Sequence, residues 1–278
     1  MRKVCNIANL IISFNLSSNV LNKRLEKYEV SAEPSYFIET TLVDELECLN
    51  EPNMITTYYD MFQKDDIIIQ AIKSRDNVYV GMIKYFQKKA LILLKKADYN
   101  LEYLLTEYAT FYYVLKEKNA LVIHASAISY HNRAYLFVAK SGTGKSTHAK
   151  MWVEQKLATY INDDKNIIVL ENGKLYVYAN PWSGKHCLDN NVKVELGSLI
   201  KLTRGTVPFI QELSRLDVYK LLLSSTLHLN DKKQIEKWEH LANEILNIKN
   251  YLLKANIDVA SVKIVQKVLD GESYANKS

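Results

Sequence analysis

The chain has 278 residues, 48% of them apolar and 24% charged, with a net charge of +5. That balance excludes a disordered or collagen-like chain, and no apolar run reaches the roughly 18 residues that a membrane-spanning helix needs. A soluble globular protein of one large domain or two small ones is expected. The lysines fall in scattered pairs (Lys88-Lys89, Lys95-Lys96, Lys232-Lys233) rather than one tract, which reads as solvated surface and argues against a nucleic-acid-binding face.

Cys5, Cys48 and Cys187 are odd in number and far apart. They offer neither a disulfide framework nor a CxxC metal site and fit a reducing cytoplasm. Met1-Arg2-Lys3 and the apolar residues after it have the outline of a signal peptide. Asn6 and Asn9 interrupt the apolar region and no small-residue cleavage site follows, so a first strand is expected instead.

Strand-like runs cover 4–14, 36–43, 54–59, 67–72, 78–86 and 90–94, separated by turns rich in Asn, Asp and Lys. A short helix is predicted over 19–28, and Pro34 and Pro52 mark loops. Asp65-Asp66, directly before Ile67-Ile68-Ile69, reads as a turn rather than a metal site. This β-rich N-terminal region, 1–98, carries no catalytic signature. Leu101, Leu104, Leu105, Tyr108, Tyr112 and Leu115 then recur at helical spacing. They predict an amphipathic helix over 101–117, packed on the sheet that follows and opening a second domain, 99–278.

A strand over 121–128 contains His124, and a hairpin turn over 130–133 leads into an apolar strand over 134–138. In an apolar strand a histidine is either a hydrogen-bonded core residue or, with a functional loop beside it, part of a site. The loop that follows reads Ala139-Lys140-Ser141-Gly142-Thr143-Gly144-Lys145-Ser146-Thr147, and apolar positions from His148 onward continue it as a helix. It meets the phosphate-loop pattern Gly-x-x-x-x-Gly-Lys-[Ser/Thr] at every position except the first, where Ala139 stands. Ser141 to Thr147 would turn backbone N–H groups around a polyphosphate, Lys145 would reach its β and γ phosphates, and Ser146 would meet Mg²⁺.

A strand over 158–161 ends in Asn162-Asp163-Asp164, carboxylates in the place needed to hold Mg²⁺ opposite the loop serine. Asn172-Gly173 predicts a hairpin between strands over 167–170 and 175–178. The loop Asn180-Pro181-Trp182-Ser183-Gly184-Lys185 has a rigid start, a flexible centre and a cationic end, suited to a phosphate or equally to a plain turn. A strand over 196–202 ends at Arg204, which either neutralises charge on a transferring phosphoryl group or forms an ordinary salt bridge. Ser214 with Asp217 resembles a capping box for a helix over 215–225. A helix over 235–248, a strand over 251–255 and a helix over 259–269 capped by Asp258 complete the chain.

With these stretches in order, the chain resembles the catalytic domain of HPr kinase/phosphorylase, within the phosphoenolpyruvate-carboxykinase-like group of P-loop proteins. The resemblance covers roughly residues 101–269. It is carried by His124-Ala125-Ser126-Ala127, Ser141 to Thr147, Asp163-Asp164, and Pro181-Trp182-Ser183-Gly184-Lys185 leading to Arg204-Gly205. The early double aspartate discriminates, since most P-loop NTPases place their acidic residue much later. Short HPr-kinase-like proteins of peptide natural-product clusters, including those that phosphorylate a serine of a lasso-peptide precursor, are similar in flavour. Three departures stand beside it: Ala139, an N-terminal region unlike the regulatory domain of full HPr kinases, and no C-terminal signature for reverse phosphorolysis.

The resemblance implies an α/β fold with α+β character, a P-loop kinase core of mixed β-sheet flanked by helices. It also implies an ATP- and Mg²⁺-dependent kinase acting on a Ser/Thr hydroxyl of a peptide or small protein, and self-association. Asp163 would be the general base and Asp164, with Ser146, a metal ligand, or the two aspartates would exchange roles. Lys145, Arg204, Lys185 and His124 would complete the catalytic set. Two alternatives remain open: a small-molecule phosphotransferase of the same fold, or a non-catalytic nucleotide-binding partner in a peptide-modifying complex.

Overall fold

The computed structural model describes residues 2–184, 187–227 and 232–275. The chain divides into two units, Met1–Lys116 and Glu117–Ser278. Each has its own sheet.

In the first unit the strands are β1 (Arg2–Ile7), β2 (Leu10–Asn15), β3 (Tyr36–Leu42), β4 (Met54–Ile55), β5 (Tyr59–Lys64), β6 (Ile67–Lys73), β7 (Tyr79–Tyr85) and β8 (Lys89–Leu94). Their order in the sheet is β1-β2-β3-β8-β7-β6-β5-β4. The single strand expected over 4–14 is a hairpin, because Ala8 and Asn9 take left-handed backbone at φ 49° and 61°. The short helix is α1 (Asn19–Leu25), closed by a 3-10 turn over Glu26–Tyr28.

Helix α2 (Tyr99–Glu117) was expected on the sheet that follows it. It packs instead on the sheet that precedes it. Gly81 in β7 leaves a gap that Leu101 and Leu105 fill, since a Cβ there would lie 3.2 and 3.0 Å from their methyl groups. Tyr112 and Tyr113 close the contact on Tyr85 and Tyr36, with ring centroids 4.2 and 5.0 Å apart. Glu102, buried in this helix, accepts hydrogen bonds from the Ser17 and Ser18 backbone N–H groups at 2.8 Å each and from the Ser17 hydroxyl at 2.9 Å.

The second unit is built from β9 (Ala120–His124), β10 (Ser126–Tyr130), β11 (Arg133–Val138), α3 (Lys145–Glu154), β12 (Thr159–Asn162), β13 (Lys165–Glu171), β14 (Lys174–Tyr178), β15 (Lys193–Arg204), β16 (Phe209–Glu212), α4 (Arg215–Ser225), α5 (Lys232–Leu246), β17 (Tyr251–Ala255) and α6 (Val259–Ala275). The strand order is β12-β10-β11-β15-β14-β13-β9, with β17 beside β15 and β16 beside β17. The molecule is therefore of the mixed α/β class, with mixed sheets and flanking helices.

The strand read as continuous over 121–128 breaks at Ala125, where the chain changes neighbours: β9 pairs with β13, and β10 with β11 and β12. Two tight hairpins of this unit use paired left-handed residues, His131-Asn132 and Asn172-Gly173. Phe137, Trp152, Ile200, Leu253, Val262 and Val265 are among the residues of one buried cluster, which seats α3 and α6.

Strand direction matters most for the site. β11, β15 and β17 are parallel to one another, and β10 is antiparallel to both β11 and β12. The carboxyl ends of β12, β11, β15 and β17 consequently lie along one edge, the side of an open α/β sheet where ligands bind.

Candidate functional site

The loop after β11 begins at Ala139, which is half-buried and packs against the buried cluster beneath it. Its φ is not positive, so the methyl group costs nothing where the pattern has glycine. Left-handed backbone is needed further on, at Gly142 (φ 75°) and Gly144 (φ 111°). Gly144 is the N-cap of α3 and supplies no side chain to the first turn, so that turn's N–H groups point out of the helix uncapped. This is the geometry of an anion cradle.

Ser141, Ser146 and Thr147 are exposed on the loop and first turn. Lys145 is buried to 9% exposure and its Nζ donates to the Ala139 carbonyl at 2.9 Å. Burial lowers the pKa of this ammonium, and the negative charge of Asp164 opposes that shift.

The second half of the site is made at the ends of β12 and β9. Asn162, fully buried, accepts from the Asp164 and Lys165 N–H groups at 2.9 and 3.1 Å, which turns the chain sharply and separates the two aspartates. Asp164 goes toward His124, with Oδ1 3.3 Å from Nδ1. Burial lowers the His124 pKa; Asp164 acts in the opposite sense, while Lys145 and Lys165 lower it further. His124, Asp164 and Lys145 thus share one electrostatic neighbourhood.

Asp163 goes the other way and is buried, accepting from the Gly184 N–H at 2.5 Å. The Asn180 loop is fastened over the aspartate turn by two asparagines. Asn162 donates to the Asn180 carbonyl at 2.9 Å, and Asn180 donates to the Lys165 carbonyl at 2.8 Å while accepting from Trp182 N–H at 3.0 Å. A Cβ on Gly184 would sit 3.0 Å from an Asp163 carboxylate oxygen, so a side chain there would press on the carboxylate. Lys185, expected at the cationic end of this loop, lies outside the described residues.

Arg204 ends β15 and its guanidinium donates to the Gly142 carbonyl at 2.7 Å. This contact is neither of the two expected roles; it ties the end of β15 to the phosphate loop. Between the loop and the ends of β15 and β17 opens a cavity of about 560 Å³, lined among others by Thr147, His148, Met151, Arg204 and Ile257.

In the sequence His148 reads only as the first of the inward-facing positions that continue the helix. It is 2% exposed, stacks on Phe137 with centroids 4.6 Å apart at 15°, and neither ring nitrogen has a hydrogen-bond partner. Burial pushes its pKa down to about 4, against the pull of Asp258. Asn162 and Asn180 open two of the stretches singled out in the sequence, and the hydrogen bonds of their buried side chains give each a positioning role that spacing does not reveal.

Among the described residues no group of three or more His, Cys, Asp or Glu side chains is placed to hold a metal ion. Ser146 and Asp164, both accessible, fit an ion that takes most of its ligands from phosphate oxygens and water, as Mg²⁺ does. No helix among the described residues is long and apolar enough to cross a membrane.

Neither a protein-family model nor a curated protein matches the sequence. Among solved structures, the Hpr(Ser) kinase/phosphatase from Coxiella burnetii matches with a TM-score of 0.35 and 12% identity, over 56% of this chain and 96% of that one.

Proposed function

We propose that the chain is an ATP- and Mg²⁺-dependent kinase that transfers the γ-phosphoryl group to a serine or threonine hydroxyl of a peptide or small protein. One observation carries this reading: the phosphate loop, Lys145, the Asp163-Asp164 turn with His124, and Arg204 lie at one edge of one sheet. The peptide acceptor rests on the sequence resemblance, as does self-association, which sedimentation velocity would check.

Loop N–H groups and Lys145 hold the phosphates, and Arg204 braces the loop crest. The acceptor oxygen forms a bond to the γ-phosphorus while the bond from that phosphorus to the bridging oxygen breaks and ADP leaves. The hydroxyl proton passes to Asp163, which Gly184 N–H holds in place. Mg²⁺, held by Ser146 and Asp164, would supply charge neutralisation at the phosphate oxygens. Positioning and electrostatics account for most of the catalysis in such a transfer.

A second reading exchanges the aspartates. Asp164, paired with His124 and more accessible than Asp163, then takes the proton and Asp163 anchors the loop.

The test is intact-mass spectrometry of candidate peptides after incubation with the protein, Mg²⁺ and ATP. A gain of one phosphoryl group is expected, falling by roughly a hundredfold or more with Lys145→Ala. Loss of transfer in Asp163→Asn with retention in Asp164→Asn supports the first assignment of the base, and the reverse supports the second. ATP binding with no gain on any acceptor would sink the kinase reading in favour of a nucleotide-binding partner.

A further inference from the structure

We infer that the cavity between the phosphate loop and the ends of β15 and β17 receives the nucleoside end of the nucleotide, and that His148 at its floor hydrogen-bonds the base. The inference rests on the nucleotide-binding reading above and adds where the nucleoside lies and what reads it.

Topology sets the direction. Along the sheet edge the aspartate turn follows β12, on one side of the phosphate loop, while Arg204 and the chain after β17 lie on the other. A triphosphate laid across the loop with its γ end at the carboxylates must send its nucleoside toward β15 and β17. The cavity, about 560 Å³, is at that place and falls within the size range of small-molecule sites.

Away from Arg204 and the loop itself, its lining suits a flat heterocycle. Met151 and Leu202 supply apolar wall, and Ile257, 62% exposed, stands over the loop with its side chain 3.8 Å from where a Gly144 Cβ would lie. Ile257 thus offers an apolar face on which a ring can pack. Below, His148 is the feature that nothing else in the fold accounts for. A buried imidazole with both nitrogens unpaired is disfavoured unless something satisfies them. A heterocycle with ring nitrogens and exocyclic groups provides donors and acceptors together. Entry of the base is accompanied by a rotation of the imidazole that presents a nitrogen to it.

The test compares the Mg²⁺ complexes of ATP and inorganic tripolyphosphate by isothermal titration calorimetry on the full chain. His148→Phe keeps the stack on Phe137 and removes both nitrogens. Ile257→Ser alters an exposed position and guards against a folding defect in the first variant. Each is expected to weaken ATP binding by roughly tenfold or more while leaving tripolyphosphate within about twofold. Equal losses for the two ligands, or unchanged ATP binding in a folded His148→Phe protein, would overturn the inference with the phosphate-loop reading intact. Unchanged ATP binding with a raised KM for the peptide would assign the cavity to the acceptor and overturn it too. If the wild-type chain binds neither ligand, or Lys145→Ala binds both as tightly, the phosphate-loop reading itself falls.

Discussion

A methyl group and a hydrogen atom at two loop positions have opposite consequences. Ala139 departs from the phosphate-loop pattern yet has ordinary backbone and packs into the core, whereas Gly144 sits at φ 111°. Ala139→Gly should therefore lower stability by about 0.5–1 kcal/mol, through the freer unfolded chain, and leave nucleotide affinity unchanged. Gly144→Ala forces a side chain into left-handed backbone at about 1–3 kcal/mol and should abolish phosphate binding. Thermal melts with tripolyphosphate titrations check both, and a loss of affinity in Ala139→Gly would contradict this account of the loop. At this scale the sequence singled out Lys145 and Asp163-Asp164, where chemistry and spacing coincide, and the fold brings them to one edge of one sheet. His148 was legible only as an inward-facing helix position, because spacing places a side chain on a face without telling whether its ring nitrogens find partners.

Elements were legible in kind and less so in their breaks. The hairpins at Asn172-Gly173 and 130–133 follow from local turn chemistry, and Ser214 caps α4 by accepting from Asp217 N–H at 3.1 Å. The change of neighbours at Ala125 has no local signal, since β9 and β10 are both buried and read as one apolar run. The site depends on that break. It places His124 at a strand end, with Ala125 N–H donating to the Asp164 carbonyl at 2.9 Å and Asn166 donating to the Ala125 carbonyl at 2.7 Å. The Asn180 loop is held as tightly, and Asn180→Ala removes two of its side-chain hydrogen bonds at once. We expect a stability loss of about 1–3 kcal/mol and a fall in phosphoryl transfer with tripolyphosphate affinity retained, because the described part of the loop holds Asp163. Equal losses of affinity and transfer would show that the loop acts on the phosphates instead.

The whole molecule is two sheets with separate cores, and the first carries its own buried ion pair. Lys73 donates to Asp60 at 2.7 Å, and the Tyr79 hydroxyl donates to the other Asp60 oxygen at 2.7 Å. Burial alone would raise the Asp60 pKa, but these hydrogen bonds and the Lys73 charge hold the carboxyl below its ordinary value. A depressed carboxyl stabilises the fold above its unfolded pKa and loses that contribution as pH falls through the acidic range. Asp60→Asn leaves Lys73 buried without its counter-charge and should cost about 3–5 kcal/mol near neutral pH, with the difference from wild type shrinking toward low pH. Melting curves at a series of pH values check this. Since the residue lies far in sequence from the phosphate loop and in the other unit, tripolyphosphate binding should be unchanged below the melting transition; a change would show that the units are coupled. Assigning α2 to a sheet needed the gap at Gly81, a packing fact no periodicity reports.

The bond from Lys145 to the Ala139 carbonyl has a consequence for the entropy of recognition. A lysine free in solvent gives up about 2 kcal/mol of rotamer freedom when a ligand fixes it. Lys145 is already fixed, buried along its stem and tied at its tip to the loop it serves. Capture of a phosphate exchanges one acceptor for another on an ordered side chain, so little of the attraction is lost to immobilising the residue that provides it.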